Sequence, residues 1–195
     1  DSKGRMYDLD IKVEGGKVDT CCKTVEAITW GDIHALMMNR NVQNLAWGER
    51  GMVDALLPAY QFMHDIIYGT VTNHHERHNP HTQFKLHVNG CNDLHHELKV
   101  TNQVLAQAER PWCKTLVVYS NHDAPWLEKW LQEADYRKDP KNAELFLDLQ
   151  RRTYQAIREG DESINVLEYA MRERGCPRDI RFLGEDESFT ICKGK

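Results

Sequence analysis

An α/β fold is predicted by three features of this 195-residue sequence. Short apolar runs of strand length alternate with stretches of helical period, the order that builds a sheet covered by helices. The strongest run, Thr115-Leu116-Val117-Val118-Tyr119, suits a strand buried on both faces. Three of the runs lead directly into clusters of Asp, His and Asn, and strand-end loops are where α/β proteins gather side chains from distant parts of the chain.

The elements follow in order. Tyr7, Leu9, Ile11 and Val13 alternate with Asp8, Asp10 and Lys12; Gly15-Gly16 then supplies a turn and Lys17 to Thr20 a return strand, so a β-hairpin is expected. A strand over Val25 to Trp30 runs into Gly31-Asp32-Ile33-His34, and one over Tyr60 to Ile66 contains His64-Asp65. Asp93 is placed to cap a helix through about Glu109. Trp126, Leu127, Trp130, Leu131 and Ala134 form the apolar stripe of another, with both tryptophans spaced as core residues. Asp139-Pro140 starts a third helix that Gly160 stops, and Ile164, Leu167 and Met171 mark a fourth, closed by Gly175. His87, His95 and His96 are expected on a loop and a helix surface, and Arg151-Arg152 on a solvated helix face. The tail, Ile180 to Leu183 and Phe189 to Lys193, reads as two strands around an acidic turn. No repeat, linker or low-complexity stretch divides the chain, so residues 1–195 are expected to form a single domain.

The composition is that of a globular protein: 41% apolar and 28% charged residues support a core and argue against disorder. A net charge of −5 argues against a protein that coats nucleic acid non-specifically, but it leaves room for a nuclease, whose bound metal ions supply local positive charge. No apolar run approaches membrane-spanning length, and the six cysteines have no C-x-x-C spacing. Reduced thiols and a cytoplasmic location are therefore expected. Of ten histidines, five fall between His64 and His81, and none follows His122. The run His74, His75, His78, His81 does not match the usual structural zinc spacings, so a solvated or substrate-facing loop is the simpler reading.

Asp32-x-His34, Asp65, and Asn121-His122-Asp123 form a constellation with a chemical logic. Dinuclear sites for Mn²⁺, Fe or Zn²⁺ use imidazole together with carboxylate or amide oxygen, with one carboxylate bridging ions roughly 3.5–4 Å apart. Gly31-Asp32-Ile33-His34 resembles the first motif, G-D-x-H, of the calcineurin-like metallophosphoesterases. Ser120-Asn121-His122-Asp123 resembles their G-N-H-[DE] motif, with serine in place of glycine, and His64-Asp65 takes the place of their second motif. The resemblance implies a two-sheet sandwich flanked by helices, with two divalent metal ions, manganese foremost and iron, zinc or magnesium as alternatives. It implies that Asp32 and His34 hold one metal, that Asp65 bridges, and that Asn121 holds the other. His122 would protonate the leaving alkoxide, oriented by Asp123, while a metal-activated hydroxide attacks phosphorus. The family normally completes its site with a later His and a G-H-x-H, which this sequence lacks, so a C-terminally incomplete domain is expected.

His64-Asp65-Ile66, with Asn73-His74-His75 and Asn79-Pro80-His81 following, resembles the bacteriophage branch of the superfamily, implicated in host DNA degradation and DNA transfer. This makes a deoxyribonuclease the expected activity and DNA the expected partner, with His74 and His75 as substrate contacts and a homodimer as the assembly such nucleases often adopt. The alternatives are a phosphomonoesterase or nucleotide phosphatase with the same metal ligands, and a non-catalytic DNA-handling module.

Overall fold

A computed structural model describes residues 11–14, 17–20, 25–69, 79–161 and 164–191. A two-stranded hairpin comes first, β1 (Ile11–Glu14) antiparallel to β2 (Lys17–Thr20), with Glu14 opposite Lys17. The main sheet has four parallel strands in sequential order: β3 (Ala27–Trp30), β4 (Tyr60–Met63), β5 (Lys114–Val117) and β6 (Arg181–Phe182). A parallel pair needs a crossover, and helices supply each one. α1 (Arg40–Trp47) and α2 (Met52–Leu56) join β3 to β4; α3 (Pro80–Val88) and α4 (Leu94–Ala108) join β4 to β5; α5 (Ala124–Glu133), α6 (Ala143–Glu159) and α7 (Val166–Arg172) join β5 to β6.

Side chains alternate across a strand, so register defines two faces. Ile28, Gln61 and Thr115 form one row, with Trp30, Met63, Val117 and Phe182 beside it. On this face Gln61 is fully buried and fully bonded. Its oxygen accepts from the indole N–H groups of Trp30 and Trp47, and its amide nitrogen donates to Ala108 O and Thr115 Oγ1. One polar side chain thus ties β4 to β3, β5, α1 and α4, and an unmatched partner there would cost about 1–3 kcal/mol. α4 to α7 join a common apolar core through Leu98, Leu105, Leu127, Leu149 and Leu167. Trp126 and Trp130 are buried in it with stacked rings, as their spacing predicts.

The structure corrects several expectations. Among the described residues the sheets are the four-stranded parallel one and the two-stranded hairpin. The strand expected over Tyr60 to Ile66 ends at Met63, because His64 to Gly69 turn out over the sheet edge. Residues 188–191 are not a strand: Phe189 packs instead against Tyr60 and Phe62 on the opposite sheet face, under Lys114 and Arg181. The third expected helix begins at Ala143 rather than Asp139-Pro140. Buried Asn142 sits at its start and accepts from the amide of Leu94, so its side chain joins two helices. His87 lies on α3, not in a loop, whereas His95 and His96 lie on α4 as expected. Cys91, Cys113 and Cys176 are free thiols, and burial pushes the last two up to about 11. Among the described residues no helix is long and apolar enough to cross a membrane.

Candidate metal centre

The three polar clusters occupy the same edge of the sheet, beyond the C-terminal ends of β3, β4 and β5. Parallel register makes this unavoidable: Trp30, Met63 and Val117 are paired neighbours, so the residues that follow each leave the sheet side by side. The first two loops continue together, with Ile33 N donating to His64 O, His34 N to Asp65 O and Ala35 N to Ile66 O. The third is tied to the second: Asp65 N–H donates to Ser120 Oγ at 3.0 Å, and His122 N–H donates to Asp65 Oδ1 at 3.3 Å.

Asp32, His34 and Asp65 all have positive φ, at 50°, 40° and 51°. Left-handed backbone is disfavoured for residues with a Cβ, and such geometry concentrates at functional sites. Three of the five non-glycine residues with positive φ among those described belong to this one cluster, which points to the edge as the place where the fold accommodates strain.

The side chains converge in part. His34 Nδ1 lies 3.0 Å from Ile67 O; a carbonyl can only accept, so Nδ1 carries the proton and Nε2 presents its lone pair. That Nε2 lies 3.7 Å from Asp32 Oδ1, and the His34 and His122 rings meet edge to face at 4.9 Å. Asp32 is highly exposed, with its side chain 86% accessible, and Asn121 is exposed on the β5 loop. Among the described residues no three His, Cys, Asp or Glu side chains stand close enough to enclose an ion. The donor set nevertheless fits a hard or borderline divalent cation, with an imidazole already oriented by a backbone carbonyl, as metal-binding histidines commonly are.

Asp123 takes a role different from the one expected. Its Oδ2 accepts from Ser120 Oγ at 2.6 Å and its Oδ1 from Ile67 N–H at 3.2 Å, so it clamps two loops rather than bonding the His122 ring. The His122 Nδ1 is buried without a hydrogen-bond partner among the described residues. Asp123 occupies the N-cap position of α5, yet its side chain makes no cap hydrogen bond. Burial pushes its carboxyl up to about 7, against the opposing pull of its Ser120 and backbone hydrogen bonds. His74 and His75 lie outside the described residues.

Two supporting residues escape sequence reasoning. Ser120 uses its hydroxyl as both acceptor and donor, joining Asp65 to Asp123; the departure from glycine in the motif is its sequence signal. Glu97, fully buried on α4, accepts from Tyr68 N–H at 2.6 Å and Gly69 N–H at 2.9 Å, which holds the far end of the Asp65 loop. Its signal is an acidic residue within the apolar face of Leu94, Leu98 and Leu105. Gly69, with φ of 73°, lies so near Trp126 that a Cβ would come within 2.4 Å of the indole.

No family model matches the sequence, and no solved structure matches it. The chain is similar to Protein A1 of Escherichia phage T5, a bacteriophage protein, with 36% identity over 197 residues covering 98% of this chain. The match takes in 35% of that protein, so the chain spans about a third of the length of the curated relative it matches.

Proposed function

We propose that this chain carries part of the centre of a metal-dependent phosphodiesterase whose substrate is DNA, in a protein of the T5-like bacteriophages. The observation that carries the reading is the orientation of His34. Its Nδ1–H is spent on Ile67 O, its Nε2 lies 3.7 Å from Asp32 Oδ1, and its ring meets that of His122 edge to face at the edge where three parallel strands end. A structural histidine on a surface loop has no need of such an arrangement, whereas a metal ligand requires a fixed tautomer and a free lone pair.

In this reading Asp32 and His34 would hold one divalent ion, Asn121 would supply an amide oxygen to a second, and Asp65, on the loop between theirs, would contribute carboxylate charge to the centre. Bound ions would polarise the phosphodiester and neutralise the charge that develops on its oxygens. His122 donates a proton to the departing oxygen. It would do so as an imidazolium, returning to neutral imidazole as the oxygen takes the proton. Asp123 acts one step back, accepting from the Ser120 hydroxyl and the Ile67 amide and so keeping both loops in place.

The test, on a protein of the full length of the T5 relative of which this chain matches about a third, is hydrolysis of single- and double-stranded DNA with Mn²⁺, beside an aryl phosphate monoester. Turnover of DNA that His34→Ala abolishes is the expected result. Turnover of the monoester alone would make the site a phosphatase. DNA binding without turnover of either would make the chain a DNA-handling module.

A further inference from the structure

Directly beside the candidate metal centre lies a cleft of about 340 Å³ between the end of β3 and α1. Asp32 and His34 form the edge it shares with the centre, and Trp30, Met37 and Val42 contribute apolar wall above the buried Trp47. Met37 and Val42 are 54% and 56% exposed, a high value for side chains of this kind standing together. The tryptophans offer the cleft no donor, because both indole N–H groups are already bonded to Gln61. Among the described residues no Lys or Arg lines it, so its wall offers no cation to hold a phosphate. Gly31 also lines it, and a Cβ there would meet no atom within 4 Å.

These surfaces suit a flat, uncharged ring attached to a phosphate that lies elsewhere. Aromatic carbon and a thioether attract such rings by dispersion and by contact with the π face. Ligand pockets run from roughly 300 to 1,000 Å³, so this cleft has room for one nucleoside and none for a duplex. We propose that the cleft is a nucleobase subsite, which takes one unstacked base of the strand whose phosphate is held at Asp32 and His34. The proposal rests on the phosphodiesterase reading and sharpens it. A base must leave its stack to enter, so single-stranded or frayed DNA is the favoured substrate.

On the same full-length protein, the test compares two diesters with the same leaving group in the presence of Mn²⁺: thymidine 5′-(p-nitrophenyl phosphate), and methyl p-nitrophenyl phosphate, which has no base. Stacking contacts of this kind are worth roughly tenfold or more, so kcat/KM should favour the thymidine ester by about that factor. Met37→Ala and Val42→Asn, both at exposed positions, should each reduce the ratio of the two kcat/KM values severalfold. A wild-type ratio near one, or a ratio that neither variant moves, overturns the subsite while leaving the phosphodiesterase reading intact. If neither ester is hydrolysed, the phosphodiesterase reading fails, and equilibrium dialysis of thymidine 5′-monophosphate decides the cleft separately. Binding that Val42→Asn weakens supports a nucleoside site there; no binding, or equal binding by both proteins, overturns it.

Discussion

Asp65 and Ser120 are joined by a hydrogen bond of 3.0 Å from the Asp65 amide to the serine hydroxyl, which itself donates to Asp123 at 2.6 Å. One hydroxyl thus connects the loop after β4 to the loop after β5, at the two positions from which Asp65 and His122 project. Ser120→Ala leaves a partly buried amide unbonded and deprives a buried carboxylate of its donor. The expected loss is about 1–3 kcal/mol, read as a lower urea midpoint with an unchanged slope. An unchanged midpoint would show that the bridge does not hold the loops.

The Asp123 carboxyl makes stability depend on pH. Burial raises it from an ordinary 3.8 to about 7, so between these values the folded protein holds a proton that the unfolded chain has released. Stability contributed by this group is therefore greatest below about pH 4, falls as pH rises toward 7, and is level above that. At about 1.4 kcal/mol per pH unit the change amounts to a few kcal/mol. Asp123→Asn cannot titrate and should lack this fall. The measurement is the difference between wild type and variant in urea denaturation at pH 5 and pH 8, which cancels the other carboxylates. Parallel profiles would mean that Asp123 is ionised throughout.

Legibility in the sequence followed the strength of the burial pattern. α4 and α5 bury eight and five residues; α5 leaves a clear apolar stripe, whereas in α4 the stripe is interrupted by Glu97, Thr101 and Asn102 and the Asp93 cap completes the signal. α1, α2 and α3 bury two, two and one, too few to make a period; the asparagine caps Asn39 and Asn79 are the remaining signals. Phe189 and Ile191 alternate like a strand, but a strand pattern does not distinguish a ladder from an aromatic docked on a sheet face. At the site, the positions of the three clusters follow from strand ends and parallel pairing. The direction of the Asp123 carboxylate does not, because Ile67 and Ser120, the groups that capture it, are brought there by tertiary structure.

Gly69 tests how tightly the Asp65 loop is seated. At φ of 73° alanine meets backbone strain, and its Cβ would fall 2.4 Å from the Trp126 ring, which is buried and cannot move freely. Gly160 is the control: φ is 72°, but a Cβ there meets nothing within 4 Å. Strain alone is worth about 1–2 kcal/mol, and overpacking adds about 1–3. With roughly 2–4 °C lost per kcal/mol in a protein of this size, Gly69→Ala should melt several degrees below Gly160→Ala. Equal melting temperatures would show that Trp126 yields without penalty.

In a version extended to include the later ligands that the family resemblance implies, Asp65 and His122 should separate metal binding from chemistry. Asp65→Asn is the appropriate substitution, because asparagine tolerates positive φ and retains an oxygen to accept from His122 N–H. It removes the charge shared between ions, so Mn²⁺ binding by calorimetry and hydrolysis of DNA should fall together. His122→Ala removes the proton donor and no ligand, so Mn²⁺ stoichiometry should stay at the wild-type value. General acid assistance is worth about 10²–10⁴-fold, and kcat on DNA should drop by that order. A nitrophenyl diester leaves without protonation and should be spared most of the loss. If His122→Ala released Mn²⁺, or slowed both substrates equally, His122 would have to be reassigned as a ligand beside His34, whose ring lies 4.9 Å away.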